Sequence, residues 1–515
     1  MNNKPVNDFR PFKLPSSIDR AIKELGAHSS AYWARQGEKM ALSLFHWITT
    51  STPAYRAFLK KCRVHPRNIK TLEDFKTLPP TSKDNYLRPA NYIDLFPNQD
   101  IVSATTISAT SGSSGEPFYF PRNGTHDDMY QYEAEIFLKE QFQIDKKSTL
   151  AVMGFGLGIW IGGIFTYKVL ERISNKGYQL TIVPTGTSKE QFIAAIKKFA
   201  PFYDQIILMG YPPFIKDVLE EGEAQGIRWK KHNIKILTAA EGYSERFREY
   251  IAKKSGITNM LRDIVNIYGT VELGTMAHET AFSNLIRHIA TKNKKLHSVL
   301  FPDMHITPTL CQYYPQLAYF EEVLINGKRE ILGTGYGTHM PLVRYRFYDL
   351  GGVIPYETML EKLANHNIDI KAEMRQYHIG PRLVRDLPFV YVGSRSDATV
   401  IFRGANIYPE EIRYALDDSS LSKYITGRFT MLRSENKKLD PVLEIHIELQ
   451  KNAKGNMRLE NSIKKQVVLC LLQHNSEYGD VYKFNNKKTI PSIVFWPHQH
   501  PLYFARQGKQ RWIKE

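Results

Sequence analysis

Hydrophobic and polar positions change rhythm twice along the chain. Up to about residue 95, apolar residues recur at helical spacing in a polar background, with short apolar faces such as "MALSLFHWI" and a proline-rich connection, "TLPPTSK", at 77–83. This stretch is predicted to be mainly helical. From 148 onward, short apolar runs ("TLAVMGF", "QLTIVPTG", "QIILMGY", "IKILTAAE", "IVNIYGT") alternate with amphipathic segments such as "SKEQFIAAIKKFA" and "FIKDVLEEGEAQG". Strands alternating with helices predict βαβ units and a mostly parallel sheet. Beyond about 396 the order becomes "ATVIFRG", helix-like "YPEEIRYALDD", strand-like "PVLEIHIELQ", helix-like "NSIKKQVVLCLLQHN" and strand-like "PSIVFWP". This predicts a separate small α+β domain. The expected division is 1–395 and 396–515.

Each strand of the alternating region runs into a turn rich in Gly, Pro or polar residues. Ligands of open α/β sheets sit beyond the carboxyl ends of strands, so "MGYPP", "TAAEG" and "YGTVE" mark where a site should assemble. The uncharged stretch "STLAVMGFGLGIWIGGIFTY", 148–167, is long enough to cross a bilayer. Five glycines, at 154, 156, 158, 162 and 163, make it a poor isolated helix; it reads as a buried strand, a turn and a helix.

Composition sets wider bounds. A chain of 515 residues, 42% hydrophobic and 23% charged, is globular and too long for a single core. The N-terminal "MNNKPVNDFRPFKLPSS" has no apolar segment of the kind a secretory signal needs. Three scattered cysteines, Cys62, Cys311 and Cys470, offer neither a disulfide framework nor a Cys-rich zinc site, and a cytoplasmic location is expected. The net charge of +17 attracts polyanions, but the basic residues are dispersed and no specific nucleic acid is expected.

The run "TSGSSG", Thr110–Gly115, lacks the Lys-Ser/Thr ending of a Walker loop and on its own reads as a flexible turn. Its company changes the reading. In order come "TPAYRAFLKK", "IKTLEDFKTLPPTSKDNY", "TSGSSGEP", "AAEGYSE" at 239–245, "IYGTVE" at 267–272, "MPLVRYRFYDL" at 340–350, "SRSDATVIFRGANIYPEEI" at 394–412 and "RQGKQRW" at 506–512. From about 50 to 512 this set resembles the adenylate-forming enzymes, most closely the phenylacetate-CoA ligase branch.

The resemblance implies a large N-terminal adenylate-forming domain and a small, mobile C-terminal one. It also implies an acid–thiol ligase using ATP, Mg2+ and CoA: a carboxylate attacks the α-phosphate of ATP, pyrophosphate leaves, and a thiol takes the acyl group. Thr110, Ser111, Gly112, Ser113, Ser114 and Gly115 would hold the β- and γ-phosphates. Ala240, Glu241, Tyr268, Gly269 and Thr270 would line the nucleotide pocket, Asp349 would accept from the ribose hydroxyls, and Arg395 belongs to the ATP site. Glu272 matches the magnesium ligand, Asp397 the hinge, and Lys509 the lysine that bridges substrate carboxylate and α-phosphate. An aromatic or otherwise apolar acid is expected, walled by Phe155, Trp160 and Tyr211.

Departures from the pattern are Glu116 where many relatives have lysine, Val271 for Thr or Ser, Tyr348 for Gly and Ala398 for a second Asp. The histidines His278, His288, His297 and His305 with Cys311 fit no zinc template, and Cys470 lies in an apolar helix as a structural thiol. Two other readings stay open at this point: an adenylating enzyme that passes its acyl group to a carrier protein, amine or other protein, and a degenerate ligase fold that binds polyanions.

Overall fold

The protein is described by a computed structural model covering residues 14–15, 17–110, 117–304, 307–336, 339–396, 399–416, 420–421, 423–501 and 503–504. The first hundred of these are largely helical: Ile18–Ala27, Ser30–Ser51 and Pro53–Lys61 are followed by short turns. Next come β1 (Thr106–Ala109) and β2 (Tyr119–Arg122), an antiparallel pair flanking the "SGSSGE" run.

The apolar runs of the alternating region become β3 (Thr149–Met153), β4 (Leu180–Pro184), β5 (Gln205–Gly210), β6 (Ile234–Ala239) and β7 (Ile264–Thr270). They pair in parallel in the order β7-β6-β5-β3-β4. Successive side chains of a strand point to opposite faces. Leu150, Val152, Ile206, Leu208 and Ile236 therefore meet the helices Lys189–Phe199, Pro212–Ala224 and Glu245–Ser255. Ala151, Met153, Ile207, Met209 and Leu237 meet Gly124–Glu140 and Ile161–Ser174 on the other side. Two buried faces explain the continuous hydrophobic character of these runs.

The α/β class is as expected, and the sheet is wider than the alternating region. Beyond β7, β8 (Gly274–His278), β9 (Thr309–Gln312), β10 (Ala318–Ile325), β11 (Lys328–Gly335), β12 (Leu342–Ile354) and β13 (Phe389–Arg395) extend it by antiparallel pairing. Among the described residues the sheet has eleven strands, in the order β10-β11-β12-β13-β9-β8-β7-β6-β5-β3-β4. The β10–β11 turn is Asn326-Gly327, both at positive φ, as a tight hairpin of right-twisted strands demands.

Residues 148–167 form β3, a turn and the start of the helix Ile161–Ser174, and no helix among the described residues is long and apolar enough to cross a membrane. The glycines of this segment permit close approach. A Cβ on Gly163 would fall inside the envelope of the Gly156 carbonyl oxygen. Gly163→Ala is therefore expected to destabilise the protein by about 1–3 kcal/mol, despite a helix-propensity gain of about 1 kcal/mol. The urea midpoint measures this, and an unchanged midpoint would mean that the 154–160 turn shifts freely.

The C-terminal region holds β14 (Val400–Phe402) and β15 (Ala405–Ile407), then β16 (Ile425–Glu435), β17 (Pro441–Leu449) and β18 (Ser492–Trp496) in a sheet of their own. Helices Pro409–Leu416, Met457–His474 and Ser476–Asn485 cover it. Its hydrophobic cluster, Phe402, Ile412, Phe429, Ile445 and Ile463 among others, draws on residues 400–495 alone among the described residues. Cys470 is buried there and donates to the Glu411 carbonyl at 3.2 Å.

Candidate active site

The end of β7 and the β12–β13 pair come together around Asp349. In the antiparallel register Asp349 lies opposite Arg395. The Tyr268 hydroxyl donates to Asp349 Oδ2 at 2.6 Å, and Arg395 contacts Oδ1 at 3.5 Å. Burial first, and Asp349 second, raise the Tyr268 phenol well above its ordinary value, so it remains a donor at any physiological pH. Gly269 is needed for close approach, since a Cβ there would press on the Gly274 carbonyl oxygen at 2.8 Å. The Thr270 hydroxyl accepts from the Leu273 amide at 3.3 Å and shapes the turn that carries Glu272.

Tyr348 occupies left-handed backbone, φ +68°, a conformation that glycine adopts freely. The glycine expected from the family pattern is thus replaced by a residue under strain of about 1–2 kcal/mol. Side-chain contacts hold it. The hydroxyl reaches Asp84 Oδ2 at 3.1 Å, and the Arg346 guanidinium lies 4.3 Å from the ring centroid while forking onto Glu330 at 2.6 and 2.7 Å. Its carbonyl accepts from the Ser396 amide at 2.7 Å, which ties the Asp349 turn to the end of β13.

Lys83, Asp84 and Arg122 complete the surroundings, and no role was expected for them from the sequence. The Thr81 backbone bridges to Arg344 and Arg346, and its hydroxyl donates to the Val343 carbonyl at 2.8 Å. The "TSKDNY" segment is thereby laid against β12, with Lys83 Nζ 3.8 Å from Glu272 Oε1. Arg122, fully buried, donates to the Val271 carbonyl at 2.6 Å. Burial lowers its guanidinium to about 9, with Glu272 and Asp127 opposing. The "TSKDNY" motif was the available signal, but its partners are some 260 residues away in sequence.

Thr110 closes the neck of the glycine-serine run, its amide and hydroxyl both bonded to Phe118. Ser111, Gly112, Ser113, Ser114, Gly115, Asp397 and Lys509 lie outside the described residues, as do Glu116 and Ala398. Ala240 is also left-handed, φ +74°. Beside it, the Glu241 carbonyl accepts from Asn266 at 3.1 Å, while its buried carboxylate accepts from the Gly404 amide and pairs with Arg433 at 3.1 Å. That side chain therefore meets the C-terminal region.

The three aromatic residues expected to wall an acid pocket are spread out. Phe155 packs in the core cluster with Phe165 and Tyr130, Trp160 Nε1 donates to Asp480 at 3.0 Å, and the Tyr211 hydroxyl meets Asn485 at 3.4 Å. The last two belong to a contact with the C-terminal region that holds several ion pairs and buries Leu439 in the cluster around Tyr211. Lys216 reaches Asp440 at 2.7 Å, Arg403 reaches Asp217 at 3.4 Å, and Lys488 pairs with Asp217. Asp217, Glu220 and Asp440 are thus neutralised by cations. Of the histidines, His278 bonds Tyr314 at 3.2 Å and is held near 4 by burial, His288 faces Glu245 at 3.4 Å, and His305 lies outside the described residues.

No family model matches the chain. Phenylacetate-coenzyme A ligase of Pseudomonas putida is 25% identical over 442 residues, spanning 84% of this chain and 85% of the relative. The enzyme of the same name from Escherichia coli K12 is 24% identical over 390 residues, 74% of each. Among solved structures, 2-hydroxyisobutyryl-CoA ligase, in complex with 2-HIB-AMP and CoA in the thioesterification state, superposes with a TM-score of 0.66 at 14% identity, covering 98% of this chain and 94% of that one. Its open conformation gives 0.52. In sequence the chain is similar to phenylacetate-coenzyme A ligases, and its fold is similar to that of 2-hydroxyisobutyryl-CoA ligase, with Tyr268, Asp349 and Arg395 joined beside the carboxyl end of β7.

Proposed function

We propose that the protein is an AMP-forming acid–CoA ligase: a carboxylate oxygen attacks the α-phosphorus of ATP, pyrophosphate leaves, and the CoA sulfur then displaces AMP from the acyl carbon. The observation that carries this reading is the Tyr268–Asp349–Arg395 cluster, formed at the strand ends where an α/β sheet places ligands, in a chain similar to such ligases over most of its length. Asp349 supplies two acceptor oxygens for a vicinal diol, with Tyr268 and Arg395 fixing their direction. Thr110 anchors the loop on which phosphate oxygens would rest.

Glu272, 14% exposed at its side chain and facing Lys83, is a hard oxygen donor suited to magnesium, which would share it with phosphate oxygens and water. When bound, the ion would neutralise charge building on the departing pyrophosphate. The buried guanidinium of Arg122 beside the same turn adds positive potential where the lysine expected at position 116 is missing. The division into domains is proposed at 395/396, with Asp397 as hinge and Lys509 brought to the site by rotation of the C-terminal domain. An aromatic or otherwise apolar acid is the proposed substrate class and the cytoplasm the proposed location.

The test is pyrophosphate release over a panel of carboxylic acids, with and without CoA. Acid-dependent release accompanied by an acyl-CoA product supports the proposal; release without any thioester, even with CoA present, overturns CoA as the acceptor. Asp349→Asn keeps an oxygen for Tyr268 but removes the charge facing Arg395. It is expected to lower kcat/KM for ATP about a hundredfold, chiefly through KM. An unchanged KM for ATP would remove Asp349 from the ribose site.

A further inference from the structure

The turn that follows β6, residues 239–245, is held from two sides. From behind, Arg287 donates to the Tyr243 carbonyl and pairs with Glu245, and Asn266 on β7, two residues before Tyr268, donates to the Glu241 carbonyl at 3.1 Å. In front the turn meets the C-terminal region. The Gly404 amide donates to Glu241 Oε1, Arg433 Nη2 lies 3.1 Å from Glu241 Oε2, and Arg433 Nη1 donates to the Gly242 carbonyl at 3.2 Å. Among the described residues, the donors that meet this fully buried carboxylate come from the C-terminal region.

Local backbone chemistry presents these donors. Phe402 lies opposite Ala405 in the β14–β15 pairing, which makes Arg403-Gly404 a two-residue hairpin turn with φ +52° and +87°. Such a turn leaves its own two amides outside the ladder, so the Gly404 N–H points outward to Glu241. Arg433 stands on β16, its side chain 26% exposed at the edge of the contact. The planar guanidinium addresses a carboxylate and a carbonyl at once, which an ammonium does not reproduce. A buried carboxylate stripped of its partners is costly, so Glu241 favours the arrangement in which the C-terminal region supplies them.

We propose that Arg433 is a positioning residue of the reaction cycle: its fork onto Glu241 and Gly242 docks the C-terminal region against the turn expected to line the nucleotide pocket, and so holds one of the two domain arrangements through which the cycle passes. This rests on the ligase reading and the domain rotation proposed above. Because Arg287 and Asn266 fix the turn from behind, the clasp sets where the C-terminal region stands relative to Tyr268. A contact made in one arrangement alone shifts the balance between the two and acts on the step performed from it.

The experiment compares the full natural chain with Arg433→Gln and Arg433→Lys. Hydrogen exchange of the Gly404 amide reports docking without any substrate. In Arg433→Gln it is expected to quicken about tenfold or more, with the amides of β5 unchanged, and in Arg433→Lys to lie between. Single-turnover rates then separate the half-reactions: pyrophosphate release from phenylacetic acid with ATP and magnesium, and thioester formation from phenylacetyl-adenylate with CoA. Arg433→Gln should change the ratio of these rates about tenfold or more, and Arg433→Lys should restore part of it. Unchanged Gly404 exchange, or an equal loss in both half-reactions, overturns the proposal. If phenylacetic acid is not used, the best-used acid of the panel above takes its place. If no acid supports pyrophosphate release, the ligase reading fails and exchange alone decides: quickened exchange in Arg433→Gln upholds docking by Arg433, and unchanged exchange refutes it.

Discussion

Lys509→Ala is expected to lower acid-dependent pyrophosphate release by a hundred- to a thousandfold or more, the magnitude seen when a preorganised charge is taken from a developing anion. The loss should fall on adenylation alone. Supplied with a ready-made acyl-adenylate and CoA, the variant should form thioester at close to the natural rate, because in the proposed role the lysine would act only while carboxylate and α-phosphate are being joined. A fold-wide effect would depress both half-reactions together, so the ratio between them is the decisive measurement. Equal pyrophosphate release in variant and natural protein would discard the assignment.

The second large effect concerns stability. Arg403 is fully buried, sits in left-handed backbone at φ +52°, and faces Asp217 at 3.4 Å and Asp440 at 4.0 Å across the contact between the C-terminal region and the helix Pro212–Ala224. Arg403→Met leaves Asp217 buried with Lys488 as its remaining cation, and is expected to cost about 3–5 kcal/mol. A linked change, Asp217→Asn on the same background, should recover part of that loss. A cost below about 1 kcal/mol would mean that the contact opens and hydrates its charges. The pH dependence has a definite sign. Against burial, which would raise it, Lys216, Lys488 and Arg403 hold the Asp440 carboxyl below its ordinary range, so its contribution is complete above the unfolded-state value near 4 and disappears as pH falls further.

Much of this was legible in the sequence where a local rule applied. The apolar runs that became β3–β7 are buried on both faces, so each shows a hydrophobic stretch interrupted by an amphipathic helix. The antiparallel half was not read, although "LINGKRE" carries an Asn-Gly turn between its strands. In that half the connections between strands are irregular in length, and β12 carries register shifts that blur its alternation. Asp349 and Tyr268 could be named from motifs, but their 2.6 Å contact spans 81 residues of chain that only the folded sheet brings together. The roles of Lys83 and Asp84 were hidden for the same reason. Tyr348 was visible as a departure from glycine, and the backbone angle gives that departure its meaning.

The contact between the C-terminal region and the rest of the chain is fastened by ion pairs at Asp217, Asp440 and Glu241, beside Leu439, which is buried in the cluster that holds Tyr211 and Phe214. In the proposed rotation of the C-terminal domain, parting this seam would return these charges to water, so that each lost ion pair is offset by regained hydration. If the C-terminal domain rotates as proposed, raising ionic strength is expected to favour the parted arrangement, in which these charges face solvent, over the docked one.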